Sequence, residues 1–103
     1  MPWHNAAKVS QLTNDTGISV VLPGRKKPIA LFCCDGQFFA IADECSHAFA
    51  PLSEGKVKEH IVICPWHGAR FDVRTGECQE FGSYGPVRIF STRVVGDDVQ
   101  VEI

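Results

Sequence analysis

The sequence predicts an all-β domain, and three observations carry that expectation. Nine glycines and six prolines cut the 103-residue chain into short pieces. Most pieces are β-branched or aromatic with a rough period of two, and no stretch carries a sustained helical apolar stripe. Candidate strands fall at 8–9, 18–22, 29–34, 37–42, 56–58, 61–64, 70–72, 87–95 and 99–103.

Taken in order, a short extended start leads to Ser10–Leu12, which could begin a single helical turn at most. The apolar runs 29–34 and 37–42 flank Asp35-Gly36, a strong tight-hairpin signal, because the positive backbone angles of such a turn suit Gly and are tolerated by Asp. Residues 43–53 form a loop after the 37–42 strand. Residues 65–69 form a second loop, after the 61–64 strand. Gly96-Asp97-Asp98 marks a hairpin between the long 87–95 strand and the C-terminal strand. There are no internal repeats, low-complexity tracts or linkers, so residues 1–103 are expected to form a single domain.

Composition narrows the function classes. The formal charge is −2, from ten basic and twelve acidic residues spread along the chain, which argues against nucleic acid as a partner. Met1-Pro2-Trp3-His4-Asn5 lacks a basic or apolar leader, and no apolar run approaches the ~20 residues of a membrane helix. A soluble, cytoplasmic, monomeric protein that engages no membrane is therefore expected. Five cysteines, two of them adjacent as Cys33-Cys34, disfavour a disulfide scaffold and favour metal ligands or buried thiols.

Each loop carries one Cys and one His close together: Cys45-Ser46-His47 in the first, Cys64-Pro65-Trp66-His67 in the second. Two thiolates and two imidazoles fit either a tetrahedral zinc ion or a [2Fe-2S] cluster in which two His replace two Cys on one iron. Structural zinc sites usually open with two cysteines two to four residues apart. The Cys-x-His opening here favours the cluster, with Cys45 and Cys64 on one iron and His47 and His67 on the other.

At these residues the chain resembles the Rieske [2Fe-2S] proteins, and specifically the soluble ferredoxins of bacterial aromatic-ring-hydroxylating dioxygenase systems. The resemblance rests on C-S-H-A-F-A-P-L-S-E-G from Cys45 to Gly55 and C-P-W-H-G-A-R-F-D-V-R-T-G from Cys64 to Gly76. It implies a Rieske fold of stacked antiparallel sheets, with a small cluster-binding subdomain, about 43–82, formed by the two loops and inserted in a basal β domain. It also implies one [2Fe-2S] cluster held by Cys45, His47, Cys64 and His67, with electrons passing through the histidine side. The function implied is single-electron transfer from an NAD(P)H-dependent flavin reductase to a terminal oxygenase, without enzymatic activity in the chain itself. A Rieske-type small subunit of another redox enzyme, such as nitrite reductase, is the alternative. A zinc-stabilised interaction module is the third reading.

Two ferric ions, two sulfides and two thiolates sum to zero charge, so an electron is more readily added than to a four-thiolate cluster. Rieske potentials accordingly span about −150 to +300 mV, against about −400 mV for plant-type ferredoxins. Hydrogen bonds to the sulfurs raise the potential. In the high-potential respiratory members a Ser, a Tyr and an extra disulfide occupy positions that match Ala69, Phe71, Ala50 and Trp66 here. None of these four carries the required group, so the potential is expected at the low end of the range.

Other residues are given simpler roles. Cys33 and Cys34 are expected to be packing thiols, one facing inward and one outward, and Cys78 to be structural. His60 is expected at the surface where a strand starts, and His4 in a frayed terminus. Asp72, Arg70 and Arg74 are expected to pair locally, and Pro86 to be a turn residue. Trp66 and Phe49 either offer a docking face or shield the cluster from water.

Overall fold

The computed structural model describes residues 2–43, 51–65, 68–79 and 86–103. Among these residues the chain forms β1 (Trp3–Lys8), β2 (Thr16–Val20), β3 (Ile29–Cys34), β4 (Gln37–Ala42), β5 (Lys56–Lys58), β6 (Ile61–Ile63), β7 (Arg70–Asp72), β8 (Ile89–Phe90), β9 (Thr92–Val95) and β10 (Asp98–Glu102). They make three antiparallel sheets, ordered β1-β10-β9, β2-β3-β4-β8 and β5-β6-β7. The expected fold class is therefore observed, and β3, β4, β5 and β7 coincide residue for residue with the expected strands. Among the described residues helix is confined to 3₁₀ turns at Val9–Gln11 and Leu52–Glu54. No helix among the described residues is long and apolar enough to cross a membrane.

β3 and β4 are joined through Asp35 (φ 51°) and Gly36 (φ 76°). Positive φ at both central residues is the primed turn whose twist matches that of the strands it connects. All six residues of β3 are buried, because both faces of its sheet are covered. Ile29, Leu31 and Cys33 join one core with Leu12, Leu22, Phe90, Val99 and Val101. Ala30, Phe32 and Cys34 join the other with Ile41, Leu52, Val62, Phe71 and Val73. The expectation that one of Cys33 and Cys34 faces outward is thus corrected: alternate side chains do point to opposite faces, but each face meets a core. Burial, reinforced by Asp15, Cys33 and Asp35, pushes the Cys34 thiol up to about 11, although the His60 backbone N–H bonds to its sulfur. It is an uncharged packing group at neutral pH.

β6 and β10 differ from expectation by a single residue at their ends, and three strands differ by more, two of them through long-range pairing. β1 begins at Trp3 because it pairs with the far end of the chain, Trp3 opposite Glu102 and His4 opposite Val101; His4 therefore lies in a strand and not in a frayed terminus. The expected 87–95 strand is two strands in different sheets, since β8 pairs with β4 whereas β9 pairs with β10. The chain changes sheet at Ser91, whose carbonyl accepts from the Glu102 N–H at 3.0 Å. Thr92 Oγ1 then donates to the Phe38 carbonyl at 2.6 Å, fastening the new strand to the old sheet. β2 starts two residues earlier than expected, at Thr16, opposite Cys33.

Candidate metal centre

The β5-β6-β7 sheet carries the second loop. With Ile63 opposite Arg70, the chain between them closes as a tight finger: the Cys64 N–H donates to the Ala69 carbonyl at 2.7 Å, and the Gly68 N–H to the Cys64 carbonyl at 3.0 Å. Gly68 takes φ +73°, a conformation that costs side-chain-bearing residues steric strain. Cys64 is a free thiol and almost wholly buried.

The root of the first finger is fixed by a buried pair. Asp43, at the end of β4, accepts the Ser53 N–H on Oδ1 at 2.7 Å and the Ser53 hydroxyl on Oδ2 at 2.8 Å. The residue that begins the 43–53 loop is thereby stapled to the residue that ends it. Gly55 follows, at the end of the β5-β6 ladder in which Lys56 pairs with Ile63, and its α-carbon lies so close to β6 that a Cβ would come within 2.1 Å of the Ile63 carbonyl oxygen. Beside it a cavity of about 390 Å³ is lined by Glu54, Gly55 and Lys56 from one side and Ile63, Cys64, Pro65 and Gly68 from the other.

Of the expected ligands the structure describes Cys64; Cys45, His47 and His67, together with Phe49, Ala50 and Trp66, lie outside the described residues. Among the described residues no group of three or more His, Cys, Asp and Glu gathers. What is described fits a sulfur-ligated group: a buried, unbridged thiol lining a cavity with Gly55, Pro65 and Gly68. Ala69 and Phe71 are buried beneath it and have no side-chain hydrogen to donate to a sulfur.

The second finger is braced below. Asp72 holds Arg74 through Nε at 3.0 Å and Nη2 at 2.9 Å, and also accepts the Arg74 N–H at 2.8 Å. The expected local pairing is present for these two. Hydrogen bonding from the Arg74 side chain outweighs burial and holds the Asp72 carboxyl below its ordinary range, with the Arg74 N–H, the Arg74 charge and the nearby His60 adding to it. A carboxyl whose folded pKa lies below its unfolded one contributes stability that is complete above the unfolded value and is lost as pH falls through the folded value. Replacing Arg74 with Gln is expected to lower the urea midpoint near neutral pH, and the gap from wild type should close as pH falls below about 4. A gap that stays constant through this range would refute the assignment.

His60 is not a surface residue at a strand start. It occupies the β5-β6 turn with Glu59, both at positive φ (68° and 51°), and is half-buried with its ring edge-on to Phe39 at 5.5 Å. Its carbonyl accepts the Val73 N–H at 2.9 Å. Cys78 is half-buried against the core and bridges to Phe71, as expected of a structural thiol. Pro86 is exposed, in irregular backbone just before buried Val87. The Asp43–Ser53 pair was not anticipated. Its only sequence signal is an acid directly after an apolar strand with a Ser at the far end of the same loop.

Comparison with known proteins follows from this geometry. Residues 2–91 match the Rieske [2Fe-2S] domain. The chain is 37% identical over 101 residues to the anthranilate 1,2-dioxygenase ferredoxin subunit of Burkholderia cepacia, covering 98% of this chain and 92% of that protein. A chain in a solved complex of reduced oxygenase and oxidized ferredoxin in carbazole 1,9a-dioxygenase superposes with a TM-score of 0.88 at 31% identity, covering 96% of this chain and 91% of that one. A nitrite reductase small subunit from Mycobacterium tuberculosis superposes at 0.85 with 24% identity, over 97% of this chain and 93% of that one, a likeness of fold alone. Matched over residues 2–91, and with a buried, unbridged cysteine directly after β6, the chain belongs to the Rieske [2Fe-2S] domain family.

Proposed function

We propose that the chain is a soluble Rieske ferredoxin that carries one electron at a time from an NAD(P)H-dependent flavin reductase to a terminal aromatic-ring-hydroxylating oxygenase, and that it is not itself an enzyme. The observation that carries this reading is the buried, unbridged Cys64 thiol lining a cavity with Gly55, Ile63 and Gly68. It occurs in a chain that resembles a dioxygenase ferredoxin subunit over almost its whole length. Cys45, His47, Cys64 and His67 would hold one [2Fe-2S] cluster in a subdomain spanning about 43–82. When bound, that cluster takes up and gives back a single electron.

The protein's own residues serve that exchange by holding still. Asp43 and Ser53 fix the spacing of the first finger's ends, and the Cys64–Ala69 hydrogen bond fixes the second. A rigid frame lets the redox centre change charge without rearranging its ligands. Ala69 and Phe71 offer the cluster sulfurs no side-chain hydrogen bond, which supports a potential low in the Rieske range, about −150 mV, and not the +300 mV extreme. Such a value suits delivery to an oxygenase. The nitrite reductase reading rests on a likeness of fold and has no separate observation in its favour.

The test is spectroscopic. Anaerobically purified protein is expected to be brown, to contain iron and inorganic sulfide, and to give a Rieske-type EPR signal after reduction. Changing His47 or His67 to Ala should abolish that signal. A colourless protein that retains zinc would defeat the proposal, and a voltammetric midpoint well above zero would defeat the low-potential part of it.

A further inference from the structure

We propose that a second cleft, lined by Arg25, Lys27, Pro28, Ala42, Asp43 and Arg88, is a binding site for an oxyanion, the carboxylate or phosphate group of a ligand. It shares no lining residue with the cavity beside Cys64, and its existence does not depend on the electron-transfer reading.

The cleft is built by the end of β4. The Ala42 N–H donates to the Arg88 carbonyl at 2.8 Å and the Asp43 N–H to the Pro28 carbonyl at 3.3 Å. The 25–28 segment and Arg88 are therefore tied to the same two residues, on a cleft of about 220 Å³. Both guanidinium groups rest on a single ring: the Arg25 and Arg88 Cζ atoms lie 4.9 and 5.0 Å from the Phe90 centroid. Stacking of this kind orients two planar forks in advance, and a guanidinium fork matches the oxygens of carboxylate or phosphate.

Two features show what the cleft lacks. The stacked Arg25 and Arg88 guanidinium groups share it with one carboxylate, Asp43, both of whose oxygens already accept hydrogen bonds from Ser53. Arg25 Nε is buried and has no hydrogen-bond partner among the described residues, so the site carries the desolvation cost of a charged donor with nothing in return. An anion with several acceptor oxygens answers both deficits at once, supplying a charge and a lone pair where Nε points. A cationic ligand answers neither, and a neutral acceptor answers only the second. The volume admits a phosphate or a carboxylate with a short stem and excludes a large ring system.

The cleft's oxyanion could arrive free in solution or on an acidic segment of a partner protein, and the experiment separates the two. Full-length, cluster-loaded protein is titrated calorimetrically with inorganic phosphate, and separately with a capped tri-glutamate peptide, at constant ionic strength balanced with chloride. Saturable 1:1 binding of either probe supports the site; phosphate alone points to a free anion, and the peptide alone or more tightly points to a protein carboxylate. Arg25→Gln and Arg88→Gln should each weaken binding about tenfold or more, and Arg25→Lys, which keeps the charge but loses the fork, by several-fold. Lys26→Gln, an exposed neighbour outside the lining, should leave affinity unchanged. Heats that do not saturate for either probe, or equal losses in Lys26→Gln and Arg25→Gln, overturn the proposal.

Discussion

Replacing Gly55 with Ala is expected to destabilise the protein by about 3 kcal/mol or more and to release the cluster, because the added Cβ would stand 2.1 Å from the Ile63 carbonyl oxygen and 3.2 Å from that of Leu52. Both obstacles are backbone, so neither can rotate away. Relief requires Gly55 to draw away from β6, which would strain the Lys56–Ile63 pairing beside Cys64. The effect is steric and not conformational, since Gly55 has φ −76° and ψ 162°, a geometry open to any residue. Gly24 supplies the contrast: it takes φ +81° with nothing within 4 Å, so Gly24→Ala should cost only about 1 kcal/mol in backbone strain. Urea titrations followed by visible absorbance would read both quantities. A Gly55→Ala protein that keeps its colour and its midpoint would show that the fingers do not depend on this approach.

Removing the Asp43 carboxylate should have the next largest effect. Asp43→Ala leaves the Ser53 N–H and hydroxyl buried without their acceptors. Hydrogen bonds to a charged group are worth about 1.5–3 kcal/mol each, so a loss of about 3 kcal/mol is expected, a large share of the 5–15 kcal/mol that holds a small domain together. Ser53→Ala removes only one of the two bonds and should cost about half as much. The double variant should lose less than the two single losses combined, because the side-chain bond is counted in both. Strict additivity in that cycle would mean that the two residues do not act as a pair.

The parts of the molecule that were legible in the sequence are those that local chemistry specifies. Asp35-Gly36 announces its turn because few residues tolerate its backbone angles, and the flanking strands follow from the turn. Glu59-His60 makes a similar turn, with φ of 51° and 68°, yet neither residue advertises it. There the pairing of β5 with β6 imposes the conformation, and the strain is borne locally. The break at Ser91 was hidden for a related reason, since strand-forming residues flank it on both sides, Ile89-Phe90 before and Thr92 to Val95 after, and only the identity of the partner sheet changes. β1 escaped notice because its partner lies at the other end of the chain. For the candidate metal centre, the paired Cys and His spacings were explicit in the sequence, and of those four residues the structure describes Cys64. The clamp beneath was not legible, because an Asp after a strand more often reads as an exposed turn residue than as a buried acceptor.

The central strand β3 has a mechanical consequence. It is a party wall: one side holds up the half of the molecule that carries the fingers, the other the half built from the two chain termini. Neither half can melt while its neighbour stands. Backbone amides of Ile29–Cys34 should therefore be the last to exchange with solvent deuterium, and bleaching of the chromophore on heating should coincide with the collapse of the sheet that joins the termini.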